Sequence, residues 1–404
     1  MPLSGYYYAT QIAQYSLAHY SNYIASSKKP KDSVIMEDGD TKINLEKDFQ
    51  KRIFDEESGS YVIKFKNNFD IDVNSNHSMV SLDLKNFEDT IIQILLEDKK
   101  KKYILRYLPV DEFLSFVDGE VVFGYGRDVG EWVRITRDVK NDLDKMLSFL
   151  KKKKDSHSKI EIRKLQFIGH GQVTNISLSN SEHLRMFMHG ANWFIKNQDP
   201  TTGGWPTPIV FNKDRKKYPK AAEIKPGWFG AMCQGQAISV LVRAFISTRD
   251  ERYLTAAEDA VALFNISSRD GGVKAVFMDR YVWYEEYPTS PPSFILNGFM
   301  YSLLGLYDLQ SVSVKLHAHV SQLFKAGLES LAAMLPLYDS GHATFYDLRH
   351  FTMKTAPKGA RWDYHATHIN QLLQIHTIAS NYTIFKETAE RWRGYMVNIK
   401  SPHN

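Results

Sequence analysis

The chain has 404 residues, 43% hydrophobic and 24% charged, a composition that is ordinary for a soluble globular protein. This length suggests roughly two to three domains. Its formal net charge is +5, and the lysines are clustered in a way that would allow them to bind a polyanion. No nucleic-acid recognition motif accompanies these lysines. A single cysteine, Cys233, excludes an intrachain disulfide. No apolar run reaches the ~18–20 residues of a membrane-spanning helix, and we expect no signal peptide in the first residues.

The first part of the chain predicts one helix followed by a β-rich domain. Residues 6–25 place apolar and aromatic side chains at helical spacing, which indicates a helix packed on something larger. Residues 28–50 are polar and charged, as in a linker or loop. From about residue 61, short runs such as YVIKF and TIIQILL alternate with polar or glycine-containing turns. This pattern is typical of a β-sandwich or barrel, which we expect to close near residue 178.

The rest of the chain predicts helices separated by long loops rich in Gly, Pro, Trp and Tyr. Apolar residues recur at helical spacing over 181–196, 233–247, 252–265, 293–309, 313–335, 367–379 and 383–397. Successive antiparallel helices with such loops favour an α/α-toroid over the alternative, a plain helical bundle. The predicted fold is α+β and multidomain: a helical segment and linker (1–50), a β-sandwich or barrel (51–178) and an α/α-toroid (179–404).

Two of the loops gather residues suited to acid–base chemistry on an acidic molecule. The segment 338–366 carries Tyr346, Arg349, Arg361 and Tyr364, and the string WYEEYP carries Glu286. Removing a proton α to a carboxylate requires a group that neutralises the carboxylate and a base on one face of the ring. Arginine can do the first, and glutamate or tyrosine can carry the proton. Reprotonation from the other face inverts the carbon, whereas loss of the C4 oxygen cleaves the polymer.

Other residues of these segments have two interpretations. Asn297 opens the apolar stretch GFMYSLLGLYDL, either as a helix cap or as a hydrogen-bonding group for a sugar, and Tyr301 lies one turn further on. His365 and His368 have an i, i+3 spacing, but nothing else completes a zinc site. Hydrogen bonding is therefore the favoured role for both histidines.

Several strings indicate a family. The chain closely resembles the animal D-glucuronyl C5-epimerases of heparan sulfate and heparin synthesis in GGWP, AMCQGQAISVLVRAF, WYEEYPTSPPSFILNGFMYSLLGLYDL, FYDLRHF and ARWDYHATHINQLL. The resemblance implies conversion of glucuronate to iduronate in N-sulfated heparosan without a redox or nucleotide cofactor. It implies a homodimeric type II membrane protein of the Golgi, facing the lumen, in contact with other enzymes of heparan sulfate synthesis. The implied order of helical piece, β-domain and α/α-barrel agrees with the prediction above.

The resemblance also assigns site residues. The family's catalytic glutamate falls on Glu286, and its catalytic tyrosines fall on Tyr346 and Tyr364. The substrate-binding positions fall on Tyr287, Asn297, Tyr301, Arg349, Arg361, Trp362 and His365, together with Lys213, Lys216 and Lys217 of a lysine-bearing loop. We expect Tyr364 and Glu286 to work on opposite faces of the uronate, with Tyr346 assisting proton transfer or orienting the ring.

A structural calcium ion in the β-domain is a further implication of the resemblance. The matching positions are Glu56, Glu88, Asp89 and Thr174, and the threonine stands where the family has an aspartate. Calcium prefers oxygen ligands, which these side chains supply. The expectation is therefore a calcium site formed by these residues.

Two other functions fit the same residues. A polysaccharide lyase shares the first proton abstraction, but it leaves an unsaturated uronate and a shorter chain. An inactive heparan-binding module would bind without turnover, although binding alone requires no trio such as Glu286, Tyr346 and Tyr364. The epimerase is therefore the principal prediction.

Overall fold

The protein divides into two compact units. The computed structural model describes residues 8–25, 33–34, 36–37, 40–41, 50–56, 60–99, 101–127, 129–151, 160–179, 182–212 and 220–401. Met1–Ser21 and Met186–Asn404 form a helical unit, and Asn22–Arg185 form a β-rich unit. Most of the first helix, α1 (Ala9–Ala25), therefore belongs with the helices that follow the β-rich unit, where the sequence predicted a separate segment 1–50.

The β-rich unit consists mainly of two six-stranded sheets. Its strands are β1 (Ser33–Val34), β2 (Met36–Glu37), β3 (Asp40–Thr41), β4 (Gln50–Asp55), β5 (Ser60–Lys66), β6 (Phe69–Ser75), β7 (Met79–Asn86), β8 (Ile91–Asp98), β9 (Lys101–Leu108), β10 (Leu114–Val117), β11 (Glu120–Gly124), β12 (Trp132–Asp138), β13 (Glu161–Ile168) and β14 (His170–Ser179). The first sheet has the order β12-β7-β14-β5-β4 with β1 beside β14, and the second has the order β10-β11-β9-β8-β13-β6. A helix, α2 (Val139–Phe149), follows β12, and β2 pairs with β3.

Alternation along the strands creates the core of the β-rich unit. In β8, Ile92, Ile94 and Leu96 are at most 1% exposed, while the residues between them are half-buried. They belong to one buried cluster with Leu84 and Val173 of the first sheet. Burying side chains of this size contributes about 1.5–3 kcal/mol each. Among the described strands the two sheets share no member, so the unit is a sandwich rather than a barrel.

The helical unit contains most of the predicted helices. After α1 and α2 the helices are α3 (Glu182–Lys196), α4 (Ala231–Thr248), α5 (Glu251–Asp259), α6 (Leu296–Gln310), α7 (His317–Met334), α8 (Arg349–Thr352), α9 (Trp362–Ile378) and α10 (Thr383–Tyr395), and the hairpin is β15 (Lys274–Phe277) with β16 (Tyr281–Tyr284). The helix predicted over 252–265 is an α-helix only to Asp259, since Ala260–Phe264 form a 3-10 helix. None of the described helices is long and apolar enough to cross a membrane.

Glycines allow several helices to approach each other closely. A Cβ on Gly305 of α6 would overlap the backbone oxygen of Gly235 in α4 and lie 2.6 Å from its carbonyl carbon. A Cβ on Gly190 of α3 would overlap the hydroxyl of Ser16 in α1. Side chains at these positions would push the helices apart. The glycines therefore bring α6 against α4 and α1 against α3.

Candidate active site

A cavity of about 320 Å³ lies in the helical unit. Its walls come from the start of α1, the loops before α4, the first turn of α4, the segment after β16 and the first turns of α6 and α9. The predicted site residues that line it are Glu286, Tyr287, Asn297, Tyr301 and Tyr364. The structure therefore brings residues from three separate sequence segments to one place.

Glu286 is enclosed by the first turn of α6. It lies two residues after β16 and is 9% exposed. Asn297 Nδ2 donates to Glu286 Oε2 over 3.4 Å. A Cβ on Gly298 would lie 2.7 Å from the Cβ and 2.9 Å from the Cγ of Glu286, so the glycine leaves room for this side chain. Helix α6 thus donates a hydrogen bond to the Glu286 carboxylate and packs against the Cβ and Cγ of the same side chain.

The two predicted catalytic tyrosines contact each other. Tyr364, in the first turn of α9, meets Tyr346 edge to face, with ring centroids 4.9 Å apart. Tyr346 is 4% exposed, and its backbone N donates to Lys358 O over 2.8 Å. Lys358 Nζ also lies 3.9 Å from the centroid of the Tyr346 ring. Tyr364 lines the cavity, and Tyr346 is connected to it through this ring contact.

The cationic residues predicted to bind substrate differ in their surroundings. The Arg349 side chain is 16% exposed, and its Nε lies 3.4 Å from Oδ1 of the fully buried Asp347. The Arg361 side chain is 74% exposed, and its Nη2 lies 2.8 Å from Asp363 Oδ2. Arg349 is thus already held by a protein carboxylate, whereas Arg361 lies at the surface. The predicted lysines Lys213, Lys216 and Lys217 lie outside the described residues.

Two other predicted substrate ligands, His365 and Trp362, are not among the described residues that line the cavity. His365 is 6% exposed; its Nδ1 lies 3.0 Å from Thr344 Oγ1 and its Nε2 lies 2.9 Å from Trp392 O. Burial lowers the pKa of His365, which favours the neutral ring. Trp362 is 78% exposed. Both ring nitrogens of His365 thus have partners within the protein, and the substrate contact expected for this residue stays a prediction.

Aromatic and polar groups complete the cavity wall. Tyr287 stacks on Phe211, with ring centroids 4.0 Å apart and an angle of 13° between the planes. Trp228 lies against the same tyrosine at a centroid distance of 5.7 Å. Asn297 Oδ1 is buried and has no hydrogen-bond partner among the described residues. A buried polar atom without a partner costs about 1–3 kcal/mol, so this oxygen is suited to accept from a ligand hydroxyl.

The first helix contributes to the site in a way that the sequence analysis missed. Tyr8, Thr10 and Gln14 all line the cavity. Burial raises the pKa of Tyr8, and the Cys233 thiol and the Glu286 carboxylate add to the rise. Burial raises the pKa of the Cys233 thiol, which also lines the cavity, to about 12, so it is neutral at ordinary pH. The apolar periodicity of residues 6–25 predicted a helix that packs on another part of the protein. It did not indicate which part that is.

The residues expected to bind calcium have different surroundings in the described part of the β-rich unit. Asp89 Oδ2 lies 2.6 Å from His170 Nδ1. Thr174 is 1% exposed within β14, while Glu56 and Glu88 are exposed residues of two turns. Among the described residues, no group of three or more His, Cys, Asp or Glu side chains could hold a metal ion. A calcium ion bound by Glu56, Glu88, Asp89 and Thr174 therefore stays a prediction of the family resemblance.

Two carbohydrate-binding modules of known structure are distantly similar to this chain. A variant of the family 29 carbohydrate-binding module CBM29-2 matches 38% of this chain and 87% of its own, with 13% identity and a TM-score of 0.21. TmCBM61 in complex with β-1,4-galactotriose matches 38% of this chain and 88% of its own, with 12% identity and a TM-score of 0.19. At these TM-scores the similarity carries no argument about the fold.

Comparison of sequences is far more informative. The family profile of the D-glucuronyl C5-epimerase C-terminus matches residues 198–394, and that of the D-glucuronyl C5-epimerase β-sandwich domain matches 59–170. An uncharacterized protein of Methanocaldococcus jannaschii is 31% identical over 155 residues, covering 38% of this chain and 47% of that protein. The D-glucuronyl C5-epimerase of Caenorhabditis elegans is 33% identical over 460 residues, covering 99% of this chain and 74% of that protein. The chain therefore belongs to the D-glucuronyl C5-epimerase family and is an epimerase, an enzyme of the isomerase class.

Proposed function

We propose that this epimerase converts D-glucuronate to L-iduronate within N-sulfated heparosan. The observation that carries the proposal is the cavity in which Glu286, Asn297 and Tyr364 meet. A carboxylate and a phenol can each take up or release a proton. Inversion of a carbon requires two such groups, because the proton leaves from one face of the ring and returns to the other.

The first half of the proposed reaction breaks the C5–H bond of glucuronate. One member of the pair Glu286 and Tyr364 takes the proton, and the electron pair of the bond moves into the C6 carboxylate. The negative charge that develops there needs a cation close by. Arg349 and Arg361 are the candidates for this cation. Arg349 is the less exposed of the two, so water screens its attraction to the developing charge less.

The second half returns a proton to the opposite face of C5, which gives iduronate. The other member of the pair supplies this proton, and exchange with water restores both residues to their starting states. Tyr346 orients the Tyr364 ring through their edge-to-face contact or assists the transfer. Asn297 Oδ1, which has no hydrogen-bond partner in the described part of the chain, accepts a hydrogen bond from a sugar hydroxyl.

The remaining parts of the proposal rest on the family resemblance. They are a substrate polymer bound in part by the lysines of 213–217, a homodimer, contact with other enzymes of heparan sulfate synthesis, a Golgi-lumen location in a type II membrane protein, and catalysis without a redox or nucleotide cofactor. An α/α-toroid is proposed as the arrangement of the helical unit. The contacts of α6 with α4, α7 and α9, and of α9 with α10, support it.

Incubation of the protein with N-sulfated heparosan in D2O tests the proposal. We expect NMR spectra with deuterium at C5 and new iduronate signals, and an unchanged chain length. Unsaturated ends with shorter chains would instead demonstrate a lyase. A polymer that binds but gains neither deuterium nor iduronate would identify an inactive binding module.

A further inference from the structure

Glu285 is a fully buried carboxylate next to the cavity. It directly precedes Glu286 in the chain and is 0% exposed. Its Oε2 accepts hydrogen bonds from Ser293 N over 3.2 Å and from Ser293 Oγ over 3.0 Å. Its Oε1 accepts from Phe294 N over 2.9 Å. Both oxygens of the carboxylate are therefore bonded to one short stretch of the loop that connects β16 with α6.

The loop that Glu285 binds is itself bonded to the segment that carries Tyr346. Leu348 N donates to Ser293 O over 3.0 Å, and Leu296 N donates to Tyr346 O over 3.2 Å. Residues 293–296 thus lie between the Glu285 carboxylate and the backbone of 346–348. A shift of this loop would be transmitted to the Tyr346 backbone.

The same loop also fixes the start of α6. It leads directly to Asn297, the second residue of that helix and a hydrogen-bond donor to Glu286. Tyr338 Oη donates to Phe294 O over 2.6 Å, which holds the loop from a further direction. The Glu285 carboxylate therefore connects three parts of the site: the chain at Glu286, the first turn of α6 and the Tyr346 segment.

We propose that Glu285 is a positioning residue of the epimerase, whose carboxylate sets the spacing between Glu286 and Tyr346 without touching the substrate. The proposal rests on the function proposed above for those two residues. Three donors converge on the two oxygens of Glu285, and a carboxylate has acceptor sites on both. An amide in place of the carboxylate would direct an N–H at one of the backbone N–H groups, and the loop would have to move.

The energetics of Glu285 agree with a positioning role. Burial raises the pKa of its carboxyl to about 7, although the hydrogen bonds from Phe294 and Ser293 oppose the rise. The neighbouring Glu286 carboxylate adds to the rise. A charge in this place lowers the stability of the fold, because burial removes it from water. An apolar residue at this position, which could serve only packing, would carry no such cost of removing a charge from water.

Glu285→Gln tests the proposal in the full chain. Its kcat for C5 deuterium exchange in N-sulfated heparosan should fall by about ten- to a hundredfold, because small displacements of reacting groups have effects of this size. The KM should stay within about twofold of wild type, since the substrate contacts are kept. Ser293→Ala removes one donor and keeps the carboxylate, so we expect a smaller decrease in kcat.

Glu258→Gln is the matched control. Glu258 is also buried, at 9% exposed, and accepts a hydrogen bond from Ser313 Oγ over 2.5 Å. It is not among the described residues that line the cavity. Its replacement should change the thermal midpoint and leave kcat at the wild-type value.

Several results would overturn the role of Glu285. One is a folded Glu285→Gln protein with a wild-type kcat, and another is an equal loss of kcat in Glu258→Gln. If Glu285→Gln does not fold, unchanged kcat in Ser293→Ala at a wild-type midpoint has the same meaning. A wild-type protein that exchanges no C5 proton would overturn the proposed function itself, whereas exchange in wild type with no effect of Glu285→Gln removes only the positioning role.

Discussion

Tyr346 and Tyr364 meet edge to face, with a centroid distance of 4.9 Å and an angle of 74° between the rings. Aromatic pairs of this kind contribute about 0.5–1.5 kcal/mol beyond the area that they bury. The contact orients the Tyr364 ring at the cavity wall independently of any proton that its hydroxyl carries. Removal of the hydroxyl and removal of the ring should therefore have separable effects.

Tyr364→Phe keeps the ring contact and removes only the phenol oxygen. We expect kcat to fall by about a hundredfold or more, which is typical of the loss of a general acid or base. The affinity for N-sulfated heparosan and the thermal midpoint should stay close to wild type. Tyr364→Ala removes the ring as well, so its midpoint should also fall. Turnover that survives Tyr364→Phe would show that the phenol carries no proton.

Gly298→Ala tests the placement of Glu286. The new Cβ would lie 2.7 Å from the Cβ and 2.9 Å from the Cγ of Glu286, so that side chain would have to move. Activity should fall by about tenfold or more, while the higher helix propensity of alanine limits the loss of stability. Gly359→Ala is the control, because its Cβ would meet nothing within 4 Å. Equal activity in both variants would contradict a fixed position for Glu286.

Gly305→Ala should destabilise the protein without any direct effect on the chemistry. Its Cβ would lie 2.6 Å from the carbonyl carbon of Gly235, and backbone atoms have little freedom to yield. We expect a loss of about 1–3 kcal/mol or more in the free energy of unfolding, measured by urea denaturation. In Gly394→Ala the nearest atom would be Ile399 Cβ at 3.5 Å, which is ordinary contact, so stability should hold or rise slightly. Similar midpoints for the two variants would argue against the close approach of α4 and α6.

Glu285 should make stability depend on pH just below neutrality. Its pKa is raised from 4.5 to about 7, so the folded state binds the proton more tightly than the unfolded state. The free energy of unfolding should therefore decrease as pH rises through this window, by up to about 1.4 kcal/mol per pH unit. Urea midpoints of wild type and Glu285→Gln between about pH 5 and 7, the range bounded by the two pKa values, measure this slope. Parallel curves for the two proteins would contradict it.

His368 should act in the opposite direction at lower pH. Burial, reinforced by His365, lowers its pKa from 6.5 to about 3, so the folded state binds the proton less tightly than the unfolded state. Its contribution to stability is present above pH 6.5 and is lost as pH falls toward about 3. His368→Gln cannot take up this proton, so its midpoint should change less than that of wild type between about pH 6 and 4. An equal acid dependence in both proteins would show that His368 does not titrate as a buried group.

The sequence predicted local structure better than long-range contacts. Short β-branched and aromatic runs between turns predicted strands such as β8, and apolar periodicity predicted helices such as α4 and α6, because both patterns depend on neighbouring residues. Glu286, Asn297 and Tyr364 were assigned to one site by family resemblance, and the structure brings them together. The place of Tyr8 in the same cavity could not be predicted, since it depends on packing against residues more than two hundred positions away. Burial of His365 was equally hidden, because residue type and spacing do not reveal which hydrogen bonds a ring nitrogen makes.

The position of α1 has a consequence for synthesis of the protein. Residues 22–185 separate the first helix from the rest of its unit along the chain. At roughly 5–20 residues per second, a ribosome takes on the order of ten to thirty seconds to translate this stretch. Until α3 emerges, Ser16 lacks the contact that it makes with Gly190 of α3 in the finished protein. The nascent helix must remain able to pack against α3 throughout this delay. The cavity, which α1 helps to line, is therefore completed late in the synthesis of the protein.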